Sequence, residues 1–355
     1  MGGEIQNLFG KRLKQARVRK KWSLKNLREG MDEMVSIAAL SKYEKGQTMP
    51  SSNVLIKLAR ALDVSVDFLF RSYEVELERV KFRKLTKLGK KDIDQIKENA
   101  RDFFERYFQI EEIVGSRIAF EETLKQEGAL NVDDMADALR KHWNMGDEPI
   151  SNVHSLLEDN GVKVWFSNQE SDAFSGFSAE TSQGPVAVIS KKMSAARKRN
   201  TALHELAHIL VEPLGLEEKE EEIFVTKLPA ALLLPREEII AALGERRSKL
   251  TVGELWQLKQ KFGISMSAIV MRAADLGIIN ENTKKGFFMF GPGKRWRSQK
   301  AEDGDDILDE SFPEKSFRFK QLVYRAHGEE LITISQAANF LGQSIDQTKL
   351  DLNPF

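Results

Sequence analysis

His204-Glu205-Leu206-Ala207-His208 sets two imidazoles four residues apart, with a carboxylate directly after the first. On a helix, residues i and i+4 share one face, so both rings can reach a single zinc ion. Glu205 stands one step further round the axis, about 100°, where it can take a proton from an attacking water. The chemistry such a pattern supports is zinc-dependent hydrolysis, and more narrowly peptide-bond hydrolysis. The chain has only five His, against 54 Asp plus Glu, in 355 residues; a chance match is expected in roughly one of a few hundred such sequences. Catalytic zinc takes three protein ligands and leaves a fourth position to water, so a third ligand is required.

Helix and strand signals flank the motif on both sides. Ser194 is placed to cap a helix that begins at Ala195 and Ala196 and runs through Leu203, Leu206, Ile209 and Leu210, with Pro213 to stop it. Ala202, Leu206 and Leu210 form its buried stripe, which leaves His204 and His208 facing a cleft. Downstream, the acidic run from Glu217 to Glu222 leads into the apolar stretch Ile223 to Pro235. Most of these glutamates read as a solvated face. Upstream, 161–166, 174–178 and 185–190 are short β-prone runs separated by Asn, Gly, Ser and Gln turns. They predict a small sheet packed on the motif helix, whose edge could hold an extended substrate by main-chain hydrogen bonds.

This order of strands, then HELAH, then a glutamate thirteen residues before the proline of Ala230-Ala231-Leu232-Leu233-Leu234-Pro235 resembles the ImmA/IrrE family of metallopeptidases. The resemblance implies a zincin-like metallopeptidase domain, Zn2+ as cofactor and Glu222 as the third ligand beside His204 and His208, with Glu218 and Glu221 as the alternatives in the same run. Two residues depart from the family pattern. Pro229 lies inside the ligand helix where members commonly carry a small residue, and Phe224 sits where many carry a polar one. A proline there is expected to kink or divide the helix.

The first 71 residues hold 14 Lys plus Arg against 7 Asp plus Glu, while the whole chain balances at 54 and 54. The basic excess is therefore concentrated where a nucleic-acid surface would need it. Phe9 to Arg17 is amphipathic, Ser23 caps a second helix through Leu24 and Leu27, and Ser36 caps a third through Ile37, Leu40 and Tyr43. Together with Ser41 to Ser51 and Leu58 to Phe70, these segments resemble the Xre/Cro family of helix-turn-helix repressor domains. The resemblance implies a five-helix DNA-binding domain whose third helix enters the major groove of a double-stranded operator, presenting Ser36, Ala38, Ala39 and Lys42. The connection from Leu27 to Ser36 is about two residues longer than the family norm, and Arg28 replaces a usual small residue. The competing expectation for this module is a helical protein-interaction domain.

Between the modules, Ile93, Ile96, Ala100, Phe103, Tyr107, Ile110 and Val114 recur at alternating spacings of three and four. Such a seam suits pairing with a symmetry mate, giving a homodimer, and it suits equally an amphipathic helix packed on its own chain. Past the peptidase-like region, Gly291-Pro292-Gly293-Lys294 lacks the spacing and the Ser/Thr of a phosphate loop. Ala301 to Glu310 reads as an acidic linker. Helices are expected near 317–325 and 335–341, in a unit that covers an apolar face or gates the cleft. Ile334 to Gly342 has a short resemblance to a helix-turn-helix element. His142, His154 and His327 each stand alone in sequence and read as surface or core histidines.

The chain has no Cys, no apolar N-terminal segment and no apolar run of the 18 or so residues that a membrane helix needs. A cytoplasmic protein without a membrane partner is expected. The predicted fold class is α+β, mostly helical: 1–71 a helix-turn-helix domain, 72–150 a helical connector, 151–283 a zinc peptidase domain with a small sheet, and 284–355 a linker and small C-terminal helical unit. The function expected from the two resemblances is a DNA-binding transcriptional regulator whose zinc endopeptidase cleaves another regulatory protein, a repressor or antitoxin, to control stress or mobile-element genes. Two alternatives stand beside it: a transcription factor whose peptidase fold is a non-catalytic sensor, and the DNA-binding antitoxin of a toxin pair.

Overall fold

The computed structural model describes residues 2–72, 74–82, 88–121, 131–168, 173–211, 216–293 and 312–353. Pro213, the expected helix stop, and the acidic stretch 301–310 lie outside the described residues. The chain is mostly helical with one four-stranded sheet, and it divides into two compact units.

The first unit gathers three separate stretches: 1–77, 84–117 and 319–355. Its N-terminal part holds α1 (Gly2–Arg19), α2 (Leu24–Gly30), α3 (Ile37–Glu44), α4 (Ser52–Leu62) and a 3-10 turn (Asp67–Phe70) in place of a fifth α-helix. Phe9, Leu13, Leu27, Met31, Leu40, Leu58, Leu62 and Leu69 form its core. Ser23 and Ser36 each accept the N3 amide, satisfying donors that the helix itself leaves open. Arg17 clamps the end of α3 through two bonds to the Glu44 carboxylate, at 2.5 and 2.9 Å. Gly10 makes this crossing possible, since a Cβ there would stand 2.7 Å from the carbonyl oxygens of Tyr43 and Glu44. The lengthened α2–α3 connection is accommodated by Asp32 and Glu33, both left-handed with φ of 52° and 58°.

Helix α5 (Lys90–Val114) carries the predicted seam. Its seam residues Phe103, Tyr107, Ile110 and Val114 pack in one cluster with Phe319, Leu322, Val323, Ala326 and Phe340. Those partners come from α14 (Arg318–Gly328) and α15 (Ile334–Leu341), which precede α16 (Ile345–Leu352). The rings of Phe103 and Phe319 lie 4.9 Å apart. The lower half of the seam is therefore covered by the chain itself, because two amphipathic C-terminal helices, α14 and α15, return to it. The opposite face of α5 is ionic. Glu105 takes Arg12 at 2.6 Å and Arg71 at 2.8 Å, and Asp102 takes Arg71, Arg19 and Arg106. Burial pushes the Asp102 carboxyl up, but these three guanidinium groups outweigh it and hold it down at about 2.

The second unit spans 78–83 and 118–318. Its sheet has the order β1-β3-β4-β2, from β1 (Glu78–Phe82), β2 (Lys163–Ser167), β3 (Gly176–Glu180) and β4 (Val186–Ser190). β2 and β4 are parallel, while β3 runs antiparallel to β4 and to β1. The three expected strands are present, and β1 is an addition from the stretch expected to be a helical connector. Around the sheet stand α6 (Val132–His142), α7 (Val153–Asp159), α8 (Ala195–Val211), α9 (Glu218–Leu233), α10 (Arg236–Leu243), α11 (Val252–Phe262), α12 (Met266–Asp275) and α13 (Glu281–Met289). α8 packs against α9 on one side and against β3 and β4 on another. Ala202, Leu206 and Leu210 lie in the shared core with Val164, Ile189, Val225 and Leu228, as the predicted stripe requires. α9 runs as one helix through Pro229; the proline does not divide it.

Candidate active site

Helix α8 carries both histidines on one face, with ring centroids 4.8 Å apart and planes at 88°. His204 is buried, and its Nδ1 lies 2.8 Å from the carbonyl oxygen of Val225 on α9. A carbonyl can only accept, so Nδ1 carries the proton and, in the neutral ring, Nε2 carries the lone pair. His208 is arranged in the same manner. Its Nδ1 stands 3.1 Å from Oε1 of Glu221, a carboxylate that accepts the Nδ1 proton and again puts the lone pair of the neutral ring on Nε2. This donor set fits a zinc ion, which binds neutral imidazole nitrogens whose other N–H is held by a carbonyl or carboxylate.

Glu205 is fully buried next to the pair. Gly176 at the start of β3 explains how the sheet comes so near: a Cβ there would meet Val188 oxygen at 2.7 Å, Thr201 Cγ2 at 3.0 Å and Glu205 Oε1 at 3.4 Å. A side chain at 176 would clash with the Val188 carbonyl of β4 and crowd Thr201 on α8. The motif helix is fixed from its other end by Arg199, whose guanidinium bonds Glu314 at 2.5 Å and the Ile150 carbonyl at 2.7 Å.

The acidic run does not present the residue the family offset names. Glu222 is exposed, whereas Glu221, one position earlier, is the carboxylate that meets His208. Phe224, Val225 and Leu228 are the buried side of α9, and Glu221 lies one turn before them on that side. Among the described residues, no group of three His, Cys, Asp or Glu side chains is close enough to hold a metal ion. The structure pairs the His204 and His208 rings, sets Glu221 against His208, and leaves Glu222 and Glu218 at the surface. Glu221, an alternative to Glu222 in the sequence, is the one that meets His208, and Val225 and Gly176 are the site residues that sequence reasoning does not assign. The apolar spacing Val225, Leu228, Leu232 extended back by one turn is the signal that singles out Glu221 from its neighbours.

The lone histidines lie elsewhere. His154 is buried and bonded to Glu314 at 2.5 Å, His142 faces Glu121 at 3.5 Å, and Nδ1 of His327 meets the Ile332 carbonyl at 3.2 Å.

In the N-terminal part, α3 exposes Ser36, Ala38 and Lys42, while Ala39 is half-buried. The Ser36 hydroxyl is engaged as the helix cap, accepting the Ala39 amide at 3.1 Å. Ile37 on the same helix and Met34 just before it are exposed apolar groups, of the kind that can meet a thymine methyl.

The chain matches no curated protein. Residues 13–69 match the family model described as helix-turn-helix, and residues 157–274 match the peptidase family described as the IrrE N-terminal-like domain; the chain thus joins an Xre-type helix-turn-helix domain to a downstream ImmA/IrrE-type peptidase domain.

Proposed function

We propose that the chain is a DNA-binding transcriptional regulator whose peptidase domain is a working zinc endopeptidase acting on another regulatory protein. What carries the enzymatic half is the pairing of two histidines, each with Nδ1 engaged, with a fully buried Glu205 beside them. A site that only bound metal has no use for that carboxylate. His204 and His208 would hold zinc through Nε2, with a third ligand from the acidic start of α9. When bound, the ion supplies Lewis acidity that polarises a scissile carbonyl and acidifies a water. Glu205 takes the proton of the attacking water and returns it to the leaving amine. The Val225 carbonyl and the Glu221 carboxylate hold the two rings in the tautomer that this requires.

The helix-turn-helix domain supplies the regulatory half by binding an operator through α3, as a homodimer on paired half-sites. The substrate class is a repressor or antitoxin, whose cleavage in the cytoplasm would release stress or mobile-element genes. The test is co-expression of the full chain, wild type or Glu205→Gln, with the regulators encoded beside it, read by mass spectrometry of their fragments. The wild type is expected to cut one of them, and the variant to keep zinc while losing about two to four powers of ten in rate. If the wild type cuts none and the variant still supports induction, the domain is a sensor and the enzyme reading is wrong.

A further inference from the structure

We propose that Pro229 is a positioning residue for His204, acting through the carbonyl of Val225. The proposal rests on reading the histidine pair as a zinc site. In an α-helix the N–H of residue i bonds the carbonyl of residue i−4, so the residue at 229 would ordinarily bond Val225. Proline has no N–H, and its ring crowds that same carbonyl. Pro229 lies inside α9 and is buried, yet the helix continues from Glu218 to Leu233. The oxygen it releases from the helix ladder is the one that lies 2.8 Å from Nδ1 of His204.

Two buried polar groups would otherwise be in deficit: a helical carbonyl without its amide, and an imidazole N–H that must be satisfied for Nε2 to face a metal. Each satisfies the other. A buried carbonyl without a partner carries a substantial penalty, so the bond both secures the His204 ring and removes the main cost of placing proline there. With an N–H at 229, the same oxygen would be drawn back into the helix and shared. The proline is therefore unfavourable for α9 as a helix and favourable for the ring that α9 supports.

The opposite signs make the test decisive. Pro229→Ala in the full chain restores a good helix former, so the thermal midpoint of the zinc-free protein is expected to rise. Zinc affinity, measured by competition with a chelator, is expected to fall about tenfold to a hundredfold, the usual consequence of losing the group that orients a metal-binding histidine. The ring nitrogen resonances of His204 in the zinc-free protein are expected to shift toward a mixture of tautomers. A purely structural role would move stability and affinity together. An unchanged zinc affinity with an unchanged His204 tautomer overturns the proposal. If the wild type itself takes up no zinc, the metal-site reading fails, and the His204 resonances alone still decide whether Pro229 sets the ring.

Discussion

The carboxylate that meets the histidine pair in the structure stands one residue from the one that the family offset names. Counting back from Pro235 selects Glu222, but a step of one residue turns a side chain about 100° round the helix, and α9 turns Val225 and Leu228 inward. That puts Glu221 against Nδ1 of His208 and Glu222 in solvent. Glu221→Ala is accordingly expected to lower zinc affinity about tenfold to a hundredfold, while Glu222→Ala leaves it unchanged, both measured by chelator competition on the full chain. The reverse pattern would show that Glu222, and not Glu221, supports the metal site. The HELAH motif itself was fully legible, because ligand type and helical spacing are written in consecutive residues. Its supports were not. A backbone carbonyl freed by Pro229, a glycine that lets β3 lie close to β4 and α8 and a carboxylate one position from its expected place are all consequences of how α8, α9 and the sheet meet.

At the scale of elements, the stretch from Phe312 to Arg318 behaves as a strap across the second unit. Glu314 enters the buried space between Arg199 and His154, and its oxygens also receive the Val153 and His154 amides. Phe312 lies under the Arg199 guanidinium, 4.6 Å from carbon to ring centre. Asn152 reaches the strap carbonyls of Pro313 and Lys315, and Ser316 bonds Glu158. Burial pushes the Glu314 carboxyl up, but the hydrogen bond and charge of His154 together with Arg199 outweigh it and hold it below the usual range. Burial also lowers the imidazole of His154, more strongly than Glu314 raises it. We assign a neutral His154 donating from Nδ1 to an ionised Glu314, with Arg199 as counter-charge. Nε2 of His154 has no hydrogen-bond partner among the described residues, so a second proton there would be a buried donor without an acceptor. Both groups have folded pKa values below their unfolded ones, so the stability they contribute is present above the unfolded values and lost as pH falls. The window opens near pH 6.5 for His154 and near 4.3 for Glu314. Thermal midpoints measured from pH 7 to 4 are expected to fall in the wild type, and Glu314→Gln at pH 7 to cost about 3 to 5 kcal/mol by leaving Arg199 buried without its partner. A variant as stable as the wild type at pH 7 would show that the strap carries no load. The other elements divide by how local their signal is. α5 was plain from its repeat, but the same repeat serves a symmetry mate or a neighbouring helix, and only the returning α14 and α15 decide between them. β1 is not legible in the sequence because Glu78-Arg79-Val80-Lys81-Phe82 carries three charges in five residues. That is how an edge strand discourages unwanted pairing, and in sequence it reads like the charged helices around it.

For the molecule as a whole, the balance of charge says less than its use. The N-terminal 71 residues carry 14 basic side chains, but four of the arginines are spent internally. Arg12 and Arg71 bind Glu105, Arg19 binds Asp102, and Arg17 binds Glu44. The first three pairs join α1 and the end of the helix-turn-helix region to α5 within one unit, the last joins α1 to α3, and these arginines are not available to phosphate. Lys42 on α3 and Lys45 at its C-cap are exposed. Operator binding should therefore weaken with salt less steeply than 14 cations imply, since only those that meet phosphate release counterions. Lys42→Glu is expected to weaken binding and to reduce the slope of log K against log salt by about one per chain if it contacts phosphate. Arg12→Gln is a contrasting case. It leaves Glu105 buried with one partner fewer, so it should destabilise the unit by about 3 to 5 kcal/mol while leaving the salt slope of the protein that remains folded unchanged. Both are measured by titrating a labelled operator with full-length protein at several salt concentrations, beside a thermal melt. If Arg12→Gln lowers the slope as Lys42→Glu does, Arg12 contacts phosphate, and the partition of this module's cations into internal and DNA-facing sets is wrong.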